Sequence, residues 1–217
     1  SDLRYHGVDD FTPIALVGKT AMVVCVSPAT RATSLSEFLA YVRARPGQVK
    51  YASGGIGAVN HLATAMLASM AGVDMTHIPY AGDGPSINAL LASEVSLALP
   101  TAPAVLPFLR AGRIRALAQS GAQRSPLLPD IPLVSEAVPG YTAGSWQCLL
   151  APRAMPPSIA ARLNEEAVKF IRSQEGRELL LGLGVEPVGS SGEELRSFIH
   201  DEIIKWRNVA QTAKVKL

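Results

Sequence analysis

Long apolar runs, cysteine and charge are all scarce in this 217-residue chain, and each scarcity removes a class of function. No run approaches the ~20 apolar residues that cross a bilayer as a helix, so direct membrane insertion is not expected. Only two cysteines occur, Cys25 in "AMVVCVSP" and Cys148 in "SWQCLLAP". Neither belongs to a CxxC or Cys/His cluster, which argues against a metal site. Both sit in apolar, strand-like runs and read as buried thiols; a disulfide linking two strands is the alternative in an oxidising compartment. A net charge of +2 is too small to announce a nucleic acid or an anionic membrane as partner. The phosphate-cradling GxxxxGKS/T, the dinucleotide GxGxxG and the nucleophile elbow GxSxG are missing. Asp9–Asp10, Glu165–Glu166 and Glu193–Glu194 are sequence neighbours whose side chains diverge, so no carboxylate pair is set up for acid/base work. His61 and His77 read as structural histidines. The chain reads as a binder, not an enzyme, and no cofactor is implied.

What is present is apolar and ordered: 48% of the residues are hydrophobic. "PIALVGKTAMVVCVSP" reads as extended, with a polar break at Gly18–Thr20. "TSLSEFLAYVRARPG" reads as a helix, with Ser34 and Glu37 as a capping box and Leu35, Phe38, Leu39 and Val42 on one face. Next come a strand "VKYAS", a helix "NHLATAMLASMAG" with Leu62, Met66, Leu67 and Met70 at helical spacing, and a strand "MTHIPY". They are followed by a helix opening near Pro85, a strand "VSLALP", a helix "APAVLPFLRAG" and a strand "IRALAQS". This alternation predicts βαβ units and a largely parallel sheet over about Thr20 to Tyr141. A proline-rich connection around a short helix leads to the strand "SWQCLLAP". Three helices then follow, the last with Leu195, Phe198, Ile199, Ile203 and Trp206 on its buried face.

Two loops stand out. "SGGIGAVN" runs from a strand into a helix N-terminus, and "YAGDG" repeats the design. In parallel α/β units, ligands bind beyond the carboxyl ends of the strands. Glycines let the backbone approach a ligand closely, and the free N–H groups of a helix start attract an anion. Ser53 and Asn60 are candidate hydrogen-bond donors there. With phosphate and dinucleotide motifs absent, a small carboxylate fits best. Asp83 reads as a cap for the helix behind it, with receipt of a ligand ammonium as the alternative.

The ordered series "YASGGIGAVNHLA", "AGVDMTHIPYAGDG", "AGRIRALA", "RSPLLPDIP" and "LLAP" resembles the solute-binding proteins of tripartite tricarboxylate transporters, the Bug family, over almost the whole chain. The resemblance implies a type II periplasmic binding protein fold: two α/β lobes joined by a hinge of two crossing strands. Residues 20–140 would form the complete lobe. Residues 1–19 and 141–217 would form part of the second, whose N-terminal part lies outside this chain together with any signal peptide. "TAMVVCVSP" and "SWQCLLAP" would cross between the lobes, putting both cysteines at the hinge. The ligand would be a small carboxylate, an organic acid or acidic amino acid, held by Ser53, Gly54, Gly55, Gly57, Ala58, Asn60, Gly82 and Asp83. The partners implied are the membrane permease subunits of the transporter, and the compartment is the periplasm. Ala58 and Val59 stand where the family often has Ser or Thr, and Asp83 where a small neutral residue or serine is usual. A ligand-sensing effector domain or sensory receptor component, rather than a transport protein, is the alternative function.

Overall fold

The computed structural model describes residues 7–213 and Val215. It divides the chain into two compact units. One comprises Thr20–Ser145 with the chain from Asn208 onward; the other comprises the chain up to Lys19 with Trp146–Arg207.

The first unit is a five-stranded sheet with helices. Its strands are β2 (Val23–Val26), β3 (Lys50–Ser53), β4 (Thr76–Pro79), β5 (Leu97–Ala98) and β6 (Arg115–Gln119), in the order β4-β3-β5-β2-β6. β3 runs parallel to β4 and β5, but β2 is antiparallel to both β5 and β6. The sheet is therefore mixed, not largely parallel. β2 follows directly on β1 (Phe11–Thr20) with no crossover helix between them, so the strand–helix alternation does not constrain its direction. All four β2 residues are fully buried, as expected of an apolar run covered on both faces.

Helix α1 (Leu35–Arg43) buries Leu35, Phe38, Leu39 and Val42, the face its spacing predicts. Ser34 accepts the Glu37 N–H, but the Glu37 carboxylate reaches Thr33, one residue further back than a reciprocal capping box requires. Helix α2 (Val59–Ala71) is buried all round from Asn60 to Leu67 and ends on Gly72 in the left-handed region. Met70, placed on its apolar face by spacing, is exposed instead. Its alanines and threonine let the helix sink into the unit, so one stripe does not describe it. Helices α3 (Asp83–Leu91), α4 (Ala102–Arg110) and the short α5 (Val134–Ala137) complete this unit.

The second unit holds a three-stranded sheet, β7-β1-β8, with β7 at Ser145–Pro152 and β8 at Glu186–Pro187. Helices α6 (Pro157–Arg172), α7 (Gln174–Gly182) and most of α8 (Gly192–Thr212) belong to it. β1 does not break at Gly18. A Cβ there would meet the Glu186 carbonyl oxygen at 2.5 Å, so the glycine is what admits β8 alongside. α8 buries Leu195 and Ile199, while Ile203 of its expected face is exposed.

The chain passes between units at Lys19–Thr20 and Ser145–Trp146. Cys25 lies inside the five-stranded sheet and Cys148 in the apolar cluster of the other unit, beside Trp146 and Phe198. Both are free thiols, and burial pushes both pKa values up.

Candidate functional site

β3 and β4 are adjacent and parallel, so the loops that leave their carboxyl ends emerge side by side. The chain then turns into α2 and α3. Gly54 sits where the two loops touch: its carbonyl accepts the Gly82 N–H at 3.2 Å, and a Cβ on Gly54 would meet Gly82 Cα at 3.2 Å. Gly55, Gly57 and Gly82 have φ of 133°, 78° and 104°, which L side chains rarely adopt.

Neither helix starts with a side-chain cap. The N-cap positions of α2 and α3 are Ala58 and Gly82, and neither helix has a cap hydrogen bond from a side chain. Ala58 and Gly82 are half-buried. Two helix starts with positive dipole ends and first-turn N–H groups thus open next to each other.

Polar side chains hold this arrangement from beneath. Asn60 is 5% exposed; its Oδ1 accepts the Gly54 N–H at 2.9 Å, and its Nδ2 donates to Asp83 Oδ1 at 2.9 Å. Asp83 Oδ2 accepts from Thr101 N–H at 3.1 Å and from the Thr101 hydroxyl at 3.0 Å. Asp83 therefore does not cap its own helix, as the sequence suggested. It lies inside α3, behind Gly82, and its carboxylate turns to the residue that begins α4. Through Asn60 and Asp83, the starts of α2, α3 and α4 are tied into one cluster.

Ser53 is fully buried. Its Oγ lies 2.6 Å from His77 Nε2 and accepts the Gly55 N–H at 3.2 Å. The His77 and His61 rings stack 3.7 Å apart at an interplanar angle of 8°, with Tyr51 stacked on His77 at 4.9 Å. His61 Nδ1 accepts the Gly57 N–H at 3.1 Å, so the neutral ring carries its proton on Nε2. Burial lowers both histidine pKa values. His77, further lowered by the facing His61 ring, falls to about 4. Both histidines are structural supports of the loop, as the sequence suggested, and the ring stack organises it from below.

All eight residues singled out in the sequence fall in this one place. Gly54, Gly55, Gly57, Ala58 and Gly82 present backbone; Ser53, Asn60 and Asp83 have side-chain partners within the unit. Thr101, His77 and Tyr51 were not among them. Thr101 just ahead of α4 carries the ordinary signature of a helix start, but its link to Asp83 depends on a long-range approach that local pattern does not encode. In the other unit, an open cleft of about 470 Å³ is lined by Asp9, Phe11, Thr12, Arg153 and Arg196.

The family profile described as "Tripartite tricarboxylate transporter family receptor" matches residues 1–215. The chain belongs to that family. Protein BugT of Bordetella pertussis is 32% identical over 216 residues, which is 99% of this chain. The chain spans about two thirds (66%) of BugT's own length. Among solved structures, an R. palustris protein with adipate superposes with a TM-score of 0.88 at 35% identity, covering 97% of this chain and 71% of that one. MatC of Rhodopseudomonas palustris, with bound malate, superposes with a TM-score of 0.81 at 30% identity, covering 96% and 72%. The periplasmic binding protein BugD superposes with a TM-score of 0.82 at 26% identity, covering 98% of this chain and 72% of that one, and the chain shares the α/β fold of these neighbours.

Proposed function

We propose that this chain captures a small carboxylate in the periplasm and presents it to the membrane subunits of a tripartite tricarboxylate-type transporter. The observation that carries this reading is the pair of uncapped helix starts, α2 and α3, opening side by side on the Gly54–Asn60 and Gly82–Gly84 loops. An anion there accepts backbone N–H groups and lies at two positive dipole ends. Of the eight residues, Asn60 and Asp83 would offer free first-turn N–H groups to the ligand, while Gly55, Gly57, Ala58 and Gly82, whose N–H groups are already bonded within the loops, would shape the backbone around it. Ser53, Gly54 and the Asp83 carboxylate would fix those loops. Membership of the receptor family and the adipate and malate of its solved neighbours support a carboxylate as the class of ligand.

Calorimetry against a panel of organic acids tests the reading. Adipate, malate and related acids should bind, and their neutral amides should not, because an amide brings no charge to the helix starts. Binding of sugars or cations, with no acid bound, would overturn it.

A further inference from the structure

Asp83 is a carboxylate inside a site proposed to bind carboxylates, and only helix starts and neutral groups, not a cationic side chain, surround it among the described residues. Its three hydrogen bonds come from an amide side chain, a backbone N–H and a hydroxyl, all uncharged. No cation among the described residues forms an ion pair with it. A carboxylate offers about four lone-pair positions, so one acceptor position remains beyond these three bonds. The residue is half-buried, so water screens it incompletely.

Its position matters more than its bonds. Asn60 is the second residue of α2, and its side chain spans from the Gly54 N–H to Asp83. The charge of Asp83 therefore sits one side chain away from the N–H groups that start α2. An anion docked on those groups would be separated from it by little more than that side chain, and at such short range one unit charge changes an affinity by about tenfold or more near a protein surface.

We propose that Asp83 is a specificity-determining residue: it disfavours a ligand with bare negative charge at this end and favours one carrying an ammonium group beside the docked carboxylate. The inference rests on the carboxylate-capture reading and names which acids that site prefers. A purely structural Asp83 would hold the three helix starts together and weaken all ligands alike when changed. A charge acting on the ligand changes the ratio between ligands.

The experiment compares 2-aminoadipate with adipate by calorimetry; both carry the same two carboxylates, and only the first has the ammonium. The wild-type chain should bind 2-aminoadipate more tightly. In Asp83→Asn the affinity ratio should move toward adipate by about tenfold. Because Asn at that position sets one amide nitrogen against another, the exchange Asn60→Asp/Asp83→Asn serves as control. It keeps a donor facing an acceptor at every contact and one negative charge in the cluster, so a ratio that moves toward adipate in Asp83→Asn but not in the exchange traces the shift to the charge, and an equal shift in both would overturn the proposal. A folded Asp83→Asn whose ratio stays within about twofold of wild type would overturn the proposal, as would a wild-type chain that binds both acids equally or prefers adipate. Failure of the wild-type chain to bind any acid of the panel would instead overturn the capture reading itself, and this inference with it.

Discussion

Asn60 is the residue on which the loop geometry turns. Its two functional atoms join the Gly54 backbone to Asp83, and it is almost wholly buried. Asn60→Ala should therefore cost about 2–3 kcal/mol of stability, the price of orphaning a backbone donor and weakening the bonds of a carboxylate. A urea midpoint measurement checks this. A loss of ligand affinity with unchanged stability would mean that the side chain serves the ligand instead. His77 gives the pH dependence. Its pKa is lowered to about 4 in the folded chain, first by burial and then by the His61 ring. The folded state keeps it neutral while the unfolded chain takes up a proton below about 6.5. Its contribution is thus complete above about pH 6.5 and is lost as the pH falls toward 4. Unfolding midpoints should decline across that window, and His77→Gln should flatten the decline. A wild-type curve already flat there would contradict the stacked, neutral pair.

At the scale of elements, local signals and packing divide the work. The Ser34 cap, the Gly72 stop and the buried face of α1 were all legible, because each depends on residues within a turn or two of one another. Both glycine loops were legible as strand-to-helix turns for the same reason. β8 was not: two residues paired with Gly18 and Lys19 leave no periodic trace, and Gly18 looked like a break because it has no side chain. The direction of β2 and the exposure of Met70 and Ile203 escaped too, since both depend on what packs alongside. Within the site, the sequence showed which loops matter but not that Asp83 reaches Thr101. Gly54 tests the meeting of the two loops. In Gly54→Ala, the new methyl would press on Gly82 Cα at 3.2 Å and Asn60 Nδ2 at 3.4 Å, forcing the loops apart. Ligand affinity should fall at least tenfold while the chain stays folded. An affinity unchanged in calorimetry would show that the loops need not touch.

At the scale of the whole molecule, the two units differ in how well each is sealed. Among the described residues, the unit around β2 exposes three large apolar side chains, Tyr41, Ile56 and Met70; the other exposes ten, including Leu149, Leu150, Ile159, Leu163, Phe170, Leu179 and Leu183. Fewer buried apolar contacts mean easier local opening. Hydrogen exchange should accordingly be slowest in β2, β3 and β5, and faster throughout α6 and α7; equal protection in the two units would contradict this. The candidate site lies wholly on the unit with fewer exposed apolar side chains among the described residues, so its loops should share that unit's slower exchange. The most direct test of the central claim is an amide-resolved NMR titration with adipate. The account predicts the largest shifts at the first-turn N–H groups of Val59, Asn60, His61, Asp83 and Gly84, which make no bond within their helices. Shifts concentrated instead around Thr12, Arg153 and Arg196, with the glycine loops silent, would contradict it.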